Sequence, residues 1–195
     1  MARRKEGLSF HTKEKKIKPG TIREWLGVLF WCVVAITVAF VLVFLFGNRR
    51  VVIGSSMYPT YTNGQDVFVN KIAYLVFNPK RGDVIAFYPN GNEDLHCYVK
   101  RVVGLPGETI RISNGAIYID GERLDEEYCG RGDIEEGGIA SEDLVLGEHE
   151  FFVIGDNYNN SEDSRSGNIG TVMKDYIFGE VWFHLSKDDV KWGFD

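Results

Sequence analysis

Residues 98–119 read YVKRVVGLPGETIRISNGAIYI. β-branched and aromatic side chains fill 98–103, 109–112 and 116–119, and such side chains suit a pleated, half-buried surface. Gly104 to Gly107 interrupts the first run and Ser113-Asn114-Gly115 separates the other two. Asn-Gly accepts the positive φ that a tight hairpin demands, so 109–119 is expected to be two paired strands. The same texture recurs at 66–69, 83–87, 151–154 and 181–183, with glycine, proline and asparagine between the runs. Helical periodicity is scarce in this part of the chain; 65–78 and 174–178 have room for about one turn each. The expected fold class is therefore mostly β. Residues 125–148 differ, being acidic and glycine-rich with few apolar positions. They are expected to form an exposed loop or a small ornament.

Before the β-rich part lies WLGVLFWCVVAITVAFVLVFLF, residues 25–46, with 22 residues and no charge. At about 1.5 Å per residue a helix of that length covers the ~30 Å hydrocarbon core. A cleavable leader has a shorter apolar stretch followed by small residues. Here Gly47-Asn48-Arg49-Arg50 follows, so one retained transmembrane helix is expected. Residues 1–24 carry eight basic side chains against three acidic ones. The positive-inside rule then keeps this tail cytoplasmic and puts 47–195 outside.

The formal net charge of −6 conceals a division, because 47–195 holds 25 acidic and 14 basic residues. An acidic outer domain argues against nucleic acid as a partner. The basic tail suits anionic membrane lipid. Of the 3 cysteines, Cys32 is in the apolar run, while Cys97 and Cys129 are free to pair or to stay reduced. No spacing resembles a metal site, and no cofactor is implied.

Three short segments carry chemistry. Gly54-Ser55-Ser56-Met57-Tyr58-Pro59-Thr60 places a serine between a glycine and a proline turn. Alone it is an ordinary turn, but a serine held at such a bend can present its own N–H to a developing oxyanion. Lys100 stands inside a strongly apolar strand. Exposed, it would be an ordinary strand lysine; buried, its charged form is disfavoured. Lowering it from ~10.4 to near 7–8 takes about 3–4 kcal/mol, within reach of one buried amine. Gly155-Asp156-Asn157-Tyr158-Asn159-Asn160-Ser161-Glu162-Asp163-Ser164-Arg165 is a dense polar run after an apolar strand. It is either a solvated turn or the source of a hydroxyl and an Asp–Arg brace for a lysine base.

Taken in order, these segments resemble the type I signal peptidases. The family's Ser-Met-x-Pro-Thr matches Ser56 to Thr60, and Lys-Arg-Val-x-Gly-x-Pro-Gly matches Lys100 to Gly107. Arg81-Gly82-Asp83-Val84 is similar to the element between them, and Gly155 to Arg165 is similar to the last. The resemblance covers roughly residues 20–185 and favours members from one-membrane bacteria. It implies a monomeric plasma-membrane Ser–Lys endopeptidase that removes signal peptides from exported preproteins after an Ala-x-Ala type site. By that resemblance Ser56 is the nucleophile, Lys100 the general base and Ser161 its orienting partner. Asp163 and Arg165 are the structural pair behind them. Val52, Met57, Tyr98 and Val99 are the expected walls of a shallow pocket for small side chains. The expected organisation is a tail (1–24), an anchor (25–46) and an outer domain (47–195). The outer domain has a core of 48–103 and 151–195 with a smaller β subdomain at 104–150.

Two positions depart from the family's commoner patterns. Gly54 stands where some members carry a serine that helps the oxyanion hole, and Tyr158 replaces a frequent arginine. His96, His149 and His184 sit in no motif that would make a histidine base. A self-cleaving repressor of the same chemistry needs an N-terminal DNA-binding domain, for which residues 1–24 are too short. The alternative from another class is a non-catalytic, membrane-anchored β-domain that binds secreted or wall-associated partners.

Overall fold

The computed structural model describes residues 19–46, 48–125, 128 and 132–185. Most of the basic tail lies outside these, as does Cys129, whose pairing with Cys97 the sequence left open; among the described residues Cys97 is a free thiol. The chain divides into two units, Met1–Val41 and Leu42–Asp195.

The first unit holds most of helix α1 (Pro19–Phe46, 28 residues). It begins six residues earlier than its uncharged stretch. Pro19 starts it because the first helical N–H has no intrahelical acceptor to lose. Within it, Arg23–Val41 is long and apolar enough to cross a membrane, and none of that stretch is buried in protein. Apolar side chains point out all round, with Trp25, Phe30, Ile36 and Phe40 exposed. A helix of that kind suits lipid rather than water.

The second unit is mostly β. Its strands are β1 (Asn48–Val51), β2 (Asp66–Asn70), β3 (Val84–Phe87), β4 (Tyr98–Gly104), β5 (Thr109–Ser113) and β6 (Ala116–Ile119). After them come β7 (Glu122–Arg123), β8 (Leu144–Val145), β9 (Glu150–Ile154), β10 (Val172–Met173) and β11 (Ile177–Leu185). Seven form one sheet in the order β1-β2-β11-β3-β4-β9-β10, and β7-β6-β5-β8 form a second. The second sheet is built wholly from chain lying between β4 and β9. One helical turn, α2 (Ala73–Val76), falls inside 65–78, and a 3-10 turn occupies Lys174–Tyr176.

Strand β4 sets the frame for the site. It pairs with β3 in the register Ile85↔Lys100, Ala86↔Val99 and Phe87↔Tyr98. Its side chains alternate between two cores, as a strand's must. Val99 packs with Val52, Met57, Tyr61, Val67 and Ala86. Tyr98 and Val102 pack with Ile85, Phe87 and Val153 on the other face. A third core joins Val103 and Phe152 to Ile110, Ile112 and Ile117 of the second sheet.

The acidic, glycine-rich stretch is less exposed than its composition suggests. Ile134 and Ala140 are buried in the third core. The Ile139 N–H donates to the Arg165 carbonyl at 3.0 Å, and Arg165 Nη1 donates to the Glu136 carbonyl at 3.4 Å. Two isolated apolar residues in a polar run give no periodicity to read, yet they suffice to fasten the segment. Gly138 is required there: its φ is +58°, and a Cβ would meet the Arg165 carbonyl oxygen.

Candidate active site

Ser56 and Lys100 meet although 44 residues separate them. Lys100 Nζ lies 2.7 Å from Ser56 Oγ, and the lysine is buried, at 3% exposure. Its pKa is pushed down from 10.5 to about 8, chiefly by burial. Asp163, Glu162 and Asp156 pull it up and Arg165 adds to the lowering, but loss of solvent outweighs the carboxylates. The fall corresponds to roughly 3 kcal/mol against the ammonium. Protonation therefore decides the direction of the hydrogen bond. The ammonium donates to the hydroxyl; the free amine accepts from it.

The serine loop is fixed from several sides. Val52 N–H donates to the Gln65 carbonyl at 2.9 Å, and Gly54 N–H donates to Asn63 Oδ1 at 2.9 Å. Gly54 takes φ +91°, a backbone state that favours glycine. The Tyr58-Pro59 peptide is cis. Met57 and Tyr61 lie wholly within the core. Asn157 donates twice, from N–H to the Ser56 carbonyl and from Nδ2 to the Ser55 carbonyl, each at 3.0 Å. Asn160 Nδ2 donates to Ser55 Oγ at 2.8 Å. The Ser56 N–H has no hydrogen-bond partner among the described residues.

Two ion pairs stiffen the loop after β9. Arg165 grips Asp163 in bidentate fashion, with both contacts at 2.8 Å, and Asp163 Oδ2 also accepts the Gly155 N–H at 3.0 Å. Arg101 grips Asp156 in the same way, at 2.8 and 2.7 Å, and Thr60 Oγ1 donates to Asp156 Oδ2 at 2.5 Å. The serine loop, the lysine strand and the polar loop are thus tied through a single carboxylate. Geometry of this kind, planar and two-pronged, is where a guanidinium outperforms an ammonium. Gly155 admits no side chain, since a Cβ would come within 2.2 Å of Ser161 Oγ and 2.5 Å of the Ser56 carbonyl.

A cleft of about 370 Å³ opens over the pair, lined by Val52, Gly54, Ser56, Val99, Lys100 and Glu162 among others. One of its walls is a strand edge. From Tyr98 to Lys100, β4 is paired with β3 only, because β9 joins it from Arg101 onward. The Val102 N–H donates to the Asp83 carbonyl toward the β3 side. By the two-residue alternation of antiparallel ladders, the Val99 N–H and carbonyl point away from β3, toward the cleft. A buried amine beside a hydroxyl and an unpaired strand edge are the parts of a peptide-cleaving site.

A family model described as signal peptidase, peptidase S26, matches residues 22–185. This chain belongs to that family. It is 34% identical to signal peptidase IB of Staphylococcus aureus strain COL over 176 residues, covering 81% of this chain and 89% of the relative. It is also 34% identical to signal peptidase I T of Bacillus subtilis strain 168 over 177 residues, covering 88% of this chain and 89% of that protein. A crystal structure of a signal peptidase I from Enterococcus faecalis V583 matches 54% of this chain and 97% of its own, at 30% identity and a TM-score of 0.41. The molecule is accordingly a serine peptidase of the signal peptidase I type, with a mostly β fold.

Within this signal peptidase fold, the residues singled out from sequence do not all stand together. Val52 and Val99 line the cleft from one core. Met57 belongs to that core but is fully buried beneath it. Tyr98 reaches the cleft from the opposite face of β4, where its ring lies 5.7 Å from Lys100 Nζ. Asp163 and Arg165 pair directly. Ser161 Oγ is buried without a hydrogen-bond partner among the described residues and packs against Gly155. Sequence reasoning passed over Thr60, Arg101, Asp156 and Asn157 as site-builders. Asp156 and Asn157 sit in a polar run where every residue resembles a turn former. Arg101 follows Lys100, and only the register shows that it turns toward Asp156.

Proposed function

We propose that this enzyme removes N-terminal signal peptides from exported preproteins, with Ser56 as nucleophile and Lys100 as general base. The observation that carries this reading is the 2.7 Å contact between the serine hydroxyl and a buried lysine whose pKa is about 8. The free amine takes the hydroxyl proton as Oγ attacks the scissile carbonyl. The Ser56 N–H, without a hydrogen-bond partner among the described residues, is the donor that would stabilise the oxyanion. The resulting ammonium gives its proton to the departing amine. Water, activated by the same lysine, then releases the acyl group. Ser161, with its uncommitted hydroxyl, is the group available to accept from the ammonium while it holds the proton. Asp163 and Arg165 keep that loop in place. The cleaved segment is read as an added strand on the free edge at Val99, with its small residues against Val52 and Val99 above Met57. Incubating the purified full-length protein in detergent with a synthetic export-signal peptide should release a mature end that starts after the second small residue. An intact peptide would leave the non-catalytic binding domain as the better reading.

The chain is further read as a single-pass plasma-membrane protein with its N-terminus cytoplasmic and its catalytic unit outside. The excess of basic residues before α1 supports this. A C-terminal tag should be destroyed by protease added to intact spheroplasts, while a tag placed before Arg3 survives. Protection of the C-terminal tag would reverse the orientation.

The pH dependence follows from the lysine. Below its pKa the amine is charged and cannot accept a proton, so kcat/KM should rise with pH and level off above about 8. Val102 shares Lys100's face of β4, two residues on, and is fully buried. Val102→Asn should admit water and ease the loss of solvation. The pKa then climbs back toward its ordinary value and the rising limb moves to higher pH. A limb that moves to lower pH would contradict burial as the cause.

A further inference from the structure

We infer that Glu162 reads the substrate residue lying between the two small ones, favouring a basic side chain there and disfavouring an acidic one. This rests on the peptidase reading above. On the free edge of β4, an added strand must send successive side chains to opposite faces. The side chains that enter beside Val52 and Val99 therefore leave the intervening one on the face of Tyr98 and Lys100. Glu162 stands at that face. Its carboxylate is exposed, lines the cleft beside Tyr98 and helps to push the Tyr98 hydroxyl above its ordinary pKa, after burial. Among the described residues lining the cleft it is the one carboxylate. The two acidic neighbours behind the site are already committed, Asp156 to Arg101 and Asp163 to Arg165. The remaining ionisable groups of the cleft wall are Lys100, which is buried, His96, Cys97 and Tyr98.

The motif constrains Ser161, Asp163 and Arg165 and leaves the residue between the first two open, so a side chain there is free to tune selectivity. Its contribution is electrostatic and partly solvated, which sets the scale of the effect. One attraction gained and one repulsion removed at exposed charges amount to about tenfold between a lysine and a glutamate peptide.

The test uses the full-length enzyme in detergent and three peptides identical except for Lys, Gln or Glu between the two small residues. The quantity read is the ratio of kcat/KM for the Lys peptide to that for the Glu peptide, taken within each enzyme so that losses of folded protein cancel. The wild type should favour Lys by about tenfold, E162Q should bring the ratio near one, and E162K should invert it. High salt should shrink the wild-type ratio. A ratio that E162K leaves unmoved overturns the inference and leaves the peptidase reading intact. No cleavage of the Gln peptide by the wild type overturns the peptidase reading and this inference with it.

Discussion

Ser56→Ala and Lys100→Ala are each expected to abolish signal-peptide cleavage, and the double variant to be no worse than either single one. The reason is the geometry of the pair. The lysine has no other hydroxyl hydrogen-bonded to its amine among the described residues, and the serine's Oγ has no other side-chain partner there. A positioned general base contributes about a hundredfold to ten-thousandfold. Removing the nucleophile leaves that base with nothing to activate, so the two losses do not add. Steady-state kcat for the three variants on one peptide decides the matter. More than about a tenth of wild-type kcat in Lys100→Ala, a barrier change below ~1.4 kcal/mol, would falsify the assignment of the base. Folding is a lesser concern than for most buried lysines, because Lys100 makes no ion pair in the described structure and its removal strands no partner charge.

The residues that carry the pair were legible in sequence, and the scaffold that aims them was legible only in part. Seven strands could be read because β-branched runs were long enough to show alternation, as at Thr109–Ser113 and Ala116–Ile119. Two-residue strands such as Leu144–Val145 and Val172–Met173 have no alternation to show. Strand β1 was hidden for another reason. Arg49 and Arg50 resemble the charged flank of an anchor, yet Arg49 pairs with Asp66 across β1 and β2 at 2.8 and 2.6 Å. The pairing of strands distant in sequence, β11 between β2 and β3 above all, is likewise beyond local pattern. For the site the deciding feature is the register of β9, which joins β4 only from Arg101 onward and so leaves its edge open at Val99. Tyr98 illustrates the finer limit. It lines the same cleft as Val52 and Val99, but it reaches it from the other face of β4, because neighbours along a strand face opposite ways.

That alternation leads to the second large effect expected. In a peptide with small residues two positions apart before the scissile bond, replacing either one by phenylalanine should cost far more than replacing the residue between them. The wall that meets the small residues is formed by Val52 and Val99, with exposures of 3% and 8%, over a Met57 that is wholly enclosed. Nothing in that core has room to retreat, and forcing extra volume against packed side chains costs about 1–3 kcal/mol. The corresponding loss in kcat/KM is roughly tenfold to a hundredfold at each small position. The intervening side chain faces Tyr98 and Glu162, where the cleft is open to solvent, so bulk there meets little resistance. Charge at that position is read and size is not. The measurement is kcat/KM for three matched peptides, each with one phenylalanine. Equal losses at all three positions would mean that the substrate is not bound as a strand along β4, and the pocket at Val52 and Val99 would have to be abandoned with it.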